Sequence, residues 1–308
     1  MADERPPADS LAPDARAVRR AFARAATTYD GAAVLQKEIG ARMAERLDVV
    51  RLAPRAVLDA GCGTGGALAE LATRYPDARR VALDLAVPML GVAVARSRGG
   101  RSALGRLLAP LRGGAGAPPD FVCGDLGALP FRPGTFDLVW SNATLQWLPD
   151  LPRAIAECHR VLAVGGLFSF TTFGPDTLKE VRAAFARVDA HPHVGRFADM
   201  HDIGDMLVGA GFADPVMQME YMTLTYPDAL AMLRDLKAIG ATNAARGRAR
   251  GLMGRARWRK ALEALDAKRM EPEGRTSATF EVIYGHAWKA APTRTPEGHA
   301  IVTLERRR

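Results

Sequence analysis

The sequence predicts a doubly wound α/β protein with a mainly parallel, seven-stranded sheet, and three observations predict it. First, short apolar runs at 56–60, 79–84, 120–123, 136–141 and 164–173 alternate with helical patterns at 66–74, 87–96 and 150–162. Strands separated by helices require right-handed crossovers, which make the strands parallel and put helices on the sheet faces. Second, "VMQMEYMTLTY" and "TSATFEVIYGHAWKA" alternate apolar and polar residues and supply two late strands. Third, the glycine turn "DAGCGTGG" begins on the first apolar run, where open α/β sheets hold their ligands.

The elements follow in order. Residues 1–14 read as a flexible tail. From 17 to 47 apolar residues recur at helical spacing, broken near Tyr29-Asp30-Gly31, which predicts two helices. The core spans 54–175, and the glycine-, arginine- and proline-rich stretch at 97–118 is expected to be a mobile surface insertion. Between 176 and 290 the late strands alternate with four more helical patterns. These are "PDTLKEVRAAFARVD", "DIGDMLVGAGF" with a closing glycine, "PDALAMLRDLKAIGATN" with proline in its first turn, and "RWRKALEALDAKR". They are expected to form a lid over the carboxyl ends of the strands. Residues 291–308 read as a second tail, leaving one domain over 15–290.

Composition narrows the class. A chain of 308 residues with 48% apolar content buries a substantial core and is not globally disordered. No run approaches the roughly 18 apolar residues of a membrane span. The N-terminus, with early acids and two prolines, resembles neither a secretory signal nor a transit peptide, so a cytoplasmic location is expected. Cys62, Cys123 and Cys158 form no CxxC and imply neither disulfides nor zinc. His191 and His193 have no partners at metal spacing, so no metal is expected. The net charge is +8, concentrated in "ARGRARGLMGRARWRK" at 245–260. That stretch is either a solvated face or a surface for an acidic partner: nucleic acid, an acidic protein or an anionic metabolite.

Gly61-x-Gly63-x-x-Gly66 matches the dinucleotide fingerprint. Asp59, just ahead of it, argues against a pyrophosphate, because like charges would sit close together. The same carboxylate favours a ligand with an ammonium and a sulfonium, and S-adenosylmethionine is such a ligand. Asp84 follows the second strand, where a carboxylate accepts both ribose hydroxyls. Asp125 follows the third, where it can accept from an adenine amine while the Leu126 amide meets a ring nitrogen.

"VLDAGCGTG", "ALDLAVPML", "GDLGALPF" and "FDLVWSNATLQWL" resemble the successive motifs of class I S-adenosylmethionine-dependent methyltransferases, which have a Rossmann-like fold. The resemblance implies a cofactor site lined by Asp59, Gly61, Gly63, Asp84, Leu85, Met89, Asp125, Leu126 and Asn142, with Tyr29 closing over the methionine end. Ala86 departs from the pattern, since many relatives have a helix-capping serine there, a difference of about 1 kcal/mol. "AFARAATTYDGAAVLQ", "FTTFGPDTLKEVRAAF", "HPHVGRF" and "LRDLKAIGATN" further resemble the malonyl-acyl carrier protein O-methyltransferases of biotin synthesis. That likeness runs from about Phe22 to Trp288, interrupted at 97–118. It implies methyl transfer to the free carboxylate of malonyl on acyl carrier protein. A carboxylate with a pKa near 4 is already ionised, so positioning and charge neutralisation suffice and no general base is required. A cation is needed to hold it; Arg196 and Lys237 are the candidates. Small-molecule methyltransferases of other pathways share the core motifs. Proteins related to a complex I assembly factor share the lid. A nucleic-acid methyltransferase is disfavoured, because Ser141-Asn142-Ala143-Thr144 stands where base methylases carry an Asn/Asp-Pro-Pro-aromatic segment.

Overall fold

Seven strands form one sheet in the order β3-β2-β1-β4-β5-β7-β6. They are β1 (Ala56–Ala60), β2 (Arg79–Asp84), β3 (Asp120–Cys123), β4 (Phe136–Ser141), β5 (Leu162–Phe173), β6 (Ala213–Tyr226) and β7 (Thr276–Trp288). The computed structural model describes residues 8–99, 117–267 and 274–291. The first five strands are mutually parallel, and β7 runs antiparallel between β5 and β6. The chain moves outward from β1 through β2 to β3, then returns to start the other half at β4. This reversal puts a topological switch point at the carboxyl ends of β1 and β4, where the register sets Asp59 beside Trp140.

The helices are α1 (Ala8–Leu11), α2 (Ala15–Ala25), α3 (Tyr29–Ala32), α4 (Val34–Arg46), α5 (Leu68–Arg74), α6 (Val87–Gly99), α7 (Leu151–Val161), α8 (Lys179–Phe185), α9 (Met200–Gly209), α10 (Ala229–Ala238) and α11 (Arg255–Asp266). Central strands are apolar on both faces because both are covered. One face packs Val57, Leu138, Trp140 and Leu167 against Ile39 and Met43 of α4. The other packs Leu58, Leu83, Val139 and Phe168 against Ile155 and Cys158 of α7 and Ile203 and Leu207 of α9. Where β7 crosses β5, Gly285 leaves room for the Phe170 ring, which a Cβ would meet at 2.2 Å.

Local chemistry shifts several expected boundaries. The break at Tyr29-Asp30-Gly31 is itself a turn of helix, so α2, α3 and α4 cover the stretch where two helices were expected. Within the segment expected as a tail, residues 10–14 lie along 244–247. The Asp14 amide donates to Ala244 O at 2.8 Å, Arg246 N to Ala12 O at 2.9 Å and Gly247 N to Ser10 O at 2.8 Å. Asp14 then caps α2 by accepting from the amides of Arg16 and Ala17. The helical pattern expected from Pro175 begins only at Lys179. Its leading residues are diverted to β7: Leu178 N donates to Thr279 O at 2.7 Å and Asp176 N to the Glu281 carboxylate at 2.8 Å. Residues 245–254 of the basic stretch are likewise non-helical, with Arg248 paired to Asp14 at 3.4 Å. Helix α6 continues to Gly99, three residues into the expected insertion; residues 100–116 and 292–308 lie outside the described residues. No helix among the described residues is long and apolar enough to cross a membrane.

Candidate active site

The glycine loop leaves β1 and turns at once against β2. The amides of Gly61 and Cys62 both donate to Leu83 O, at 2.8 and 2.9 Å. Gly61 sits at φ +85°, and a Cβ there would be 2.3 Å from Thr144 Oγ1. No L side chain fits this turn without strain and a clash. Gly63 N donates to Asp84 Oδ2 at 2.9 Å, while Asp84 Oδ1 accepts from Ala86 N at 2.8 Å. The acid thus closes a turn that leads the chain into α6, with the Ala86 amide held just before the helix begins. Burial raises the Asp84 carboxyl pKa, opposed by these amides and that of Leu85.

Asp59 is only 3% exposed, and its Oδ2 has no hydrogen-bond partner. Burial, reinforced by the charge of Asp84, pushes its carboxyl to about 7. A buried, unpaired carboxylate is costly unless a cation comes to it. Asp125 is exposed past β3 and accepts from Gly127 N at 2.8 Å; Leu126 beside it is buried. Asn142 is clamped at both ends, its Nδ2 donating to Gln36 O at 2.9 Å and its Oδ1 accepting from Thr171 Oγ1 at 2.7 Å.

Three cavities meet around these groups. One of about 700 Å³ is lined by Asp59, Gly61, Gly63, Trp140 and Asn142. A smaller one of about 90 Å³ is lined by Asp84, Leu85, Met89, Asp125, Leu126 and Asn142. Together they form a crevice reached by every residue expected at the cofactor site. The third, of about 390 Å³, is mainly apolar, with Phe22, Phe173, Val181, Phe185, Leu236 and Phe280 in its walls. Arg196 and Lys237 line this third cavity, not the crevice, and both are exposed. Tyr29 lines all three. Its hydroxyl is shifted well up by burial and by the charges of Asp84 and Asp30, so it stays protonated and neutral.

The methyltransferase domain family matches residues 58–170, the span from β1 to β5. A malonyl-acyl carrier protein O-methyltransferase of Gallionella capsiferriformans is 50% identical over 289 residues, covering 94% of this chain and 96% of its own. One from Laribacter hongkongensis is 52% identical over 278 residues, covering 90% of each chain. The chain belongs to the malonyl-acyl carrier protein O-methyltransferase family. Among solved structures, a putative methyltransferase from Bacillus halodurans has TM-score 0.57 at 20% identity, covering 82% of this chain and 100% of that one. The YcgJ protein from Bacillus subtilis has TM-score 0.55 at 17% identity, covering 81% and 98%. These two show the fold.

Sequence reasoning missed the residues with which this O-methyltransferase ties its N-terminal helices to the crevice. Asp30 accepts from Thr64 Oγ1 at 2.6 Å and pairs with Arg96 of α6. Gly40 of α4 lets Asn142 approach, since a Cβ there would be 2.9 Å from Asn142 Nδ2. Thr28 Oγ1 donates to Ala238 O at 2.7 Å, joining the N-terminal helices to α10 of the lid. His193 bonds to Asp189 at 2.8 Å and stacks on Phe185, an arrangement of packing. Among the described residues no group of three or more His, Cys, Asp or Glu could hold a metal ion.

Proposed function

We propose that this enzyme methylates the free carboxylate of a malonyl thioester on acyl carrier protein, using S-adenosylmethionine, to give the ester that starts pimeloyl assembly in biotin synthesis. The observation that carries this reading is the unpaired Asp59 carboxylate in a crevice that opens, past Tyr29, onto an apolar cavity. The names of the relatives support the acceptor. The cofactor, when bound, supplies a methyl group made electrophilic by its sulfonium. Asp59 then faces the ammonium, Asp84 accepts from the ribose hydroxyls, and Asp125 with the Leu126 amide reads the adenine edge beside Leu85 and Met89. Gly61 and Gly63 admit close backbone approach, Asn142 shapes the floor, and Tyr29 closes the top.

The acceptor carboxylate is ionised at neutral pH and needs no base. The enzyme's task is to hold it in line with the methyl group and keep water out, and such positioning is worth up to about 7–11 kcal/mol in favourable systems. Arg196 and Lys237 line the cavity from its exposed side and neutralise the malonyl charge. Arg196→Ala or Lys237→Ala is expected to lower turnover at least about tenfold, leaving cofactor affinity intact. The carrier protein docks on α11, whose Trp258 lines the cavity and whose Arg255, Arg257 and Lys260 are exposed without an ion-pair partner among the described residues. Residues 15–290 act as one catalytic unit, in the cytoplasm. The test is incubation of malonyl-carrier protein with enzyme and cofactor, followed by intact mass. One added methyl group is expected; an unchanged mass would contradict the reading.

A further inference from the structure

Methyl transfer to a carboxylate destroys charge. The attacking oxygen forms the O–C bond, the C–S bond breaks with its electron pair going to sulfur, and no proton moves. A tight salt bridge to the attacking carboxylate would stabilise the ground state more than the transition state. The reacting end of the substrate is better held by neutral donors, with full cations kept further away. Arg196 and Lys237 are exposed at the outer side of the cavity, so the junction between cavity and crevice should carry a neutral donor.

Two residues line both the apolar cavity and the large crevice chamber, Tyr29 and Gln36. The other two carboxamides of the cavity are already committed. Gln146 donates to Ala143 O at 2.7 Å and accepts from Thr172 at 3.2 Å. Asn243 donates to Pro192 O at 2.6 Å and accepts from Ala245 N at 3.0 Å. Gln36 is different: its Oε1 is buried without a partner, and its amide nitrogen bonds to no described residue. Its backbone carbonyl, by contrast, holds Asn142. The root of the side chain is fixed while its polar end is left open, and burying such an unmet group costs about 1–3 kcal/mol.

We propose that Gln36 is a substrate-binding residue whose side-chain amide donates to the acceptor carboxylate where the apolar cavity meets the crevice. Rotation about the terminal torsion presents the NH₂ group to a carboxylate, which can only accept. The proposal rests on the malonyl reading above and assigns the contact at its reacting end.

The test compares wild type, Gln36→Ala and Gln36→Glu. Affinity for malonyl- and acetyl-carrier protein is measured with S-adenosylhomocysteine present, so that nothing turns over; acetyl lacks the free carboxylate. Wild type should prefer malonyl by about tenfold or more, and Gln36→Ala should lose most of that preference. Gln36→Glu should invert it, through like charge. Turnover should fall at least about tenfold in both, with S-adenosylhomocysteine affinity within about twofold and Tm not lowered, because the amide has no partner to lose. A Gln36→Ala enzyme that keeps the wild-type preference and turnover overturns the role of Gln36 alone. So does a fall in Tm and cofactor affinity in parallel with turnover, which would mark a structural role. Wild type that shows no preference for malonyl overturns the malonyl reading along with it.

Discussion

The cofactor crevice and the apolar cavity are built from different kinds of chain. The crevice comes from the ends of three successive strands, so its acids and glycines fall within short motifs around 59–63, 84–89 and 125–126. The cavity gathers residues from Leu11 to Phe280, brought together only when α2, α4, α8, α10 and α11 pack around the ends of β5 and β7. The crevice spends buried polar groups on one electrostatic task, whereas the cavity spends apolar area on excluding water and leaves few polar groups uncommitted. A site that must recognise one fixed cofactor is written locally. A site that must fit an acyl chain is written across the fold.

This contrast can be broken at either end. The largest effect is expected from Gly61→Ala, which combines φ +85° with a contact of 2.3 Å to Thr144 Oγ1. Calorimetry should find cofactor affinity lost by more than about 100-fold, and thermal unfolding a stability loss of about 1–3 kcal/mol. Next is Asp59→Asn, which removes the carboxylate proposed to face the ammonium. Affinity should fall about 10–100-fold above neutral pH, the range of a charged hydrogen bond. The pH dependence has a definite sign. Folding raises the Asp59 carboxyl from 3.8 to about 7, so the ligand-free protein loses stability as pH rises through that window. A bound cation favours the ionised form, so cofactor affinity should climb roughly tenfold between about pH 5.5 and 7, and Asp59→Asn should flatten that climb.

At the cavity side, Arg255→Glu with Arg257→Glu should raise KM for malonyl-carrier protein about tenfold and blunt its salt dependence. Turnover of a small malonyl thioester should be unchanged. The smallest effect is expected from Arg259→Ala, which removes only an exposed pair to Glu263 at 3.7 Å. Its unfolding midpoint should match wild type.

Much of the fold was legible because its signals are periodic. The strands β1 to β4 and the late strands sit where alternation and apolar runs indicated, and the glycine loop marks the switch point. The pinning of residues 10–14 was not legible, since those hydrogen bonds join backbone groups 230 or more positions apart. Nor was the unwinding of 175–178, because Glu281 and Thr279 capture the Asp176 and Leu178 amides that a local pattern assigns to a helix. Gln36 reads in sequence as an unremarkable polar position on an amphipathic helix. Only the cavities on either side of it, and the missing partner of its amide, single it out. The same applies to Asp30, whose link to Thr64 and Arg96 spans three separate elements.

The central claim is that the crevice was shaped for a cationic methyl donor. Calorimetric titration near pH 6.5, in two buffers of different ionisation heat, tests it most directly. S-adenosylmethionine should bind with net proton release that disappears in Asp59→Asn, while NAD should give no heat of binding. Tight NAD binding together with indifference to S-adenosylmethionine would contradict the account.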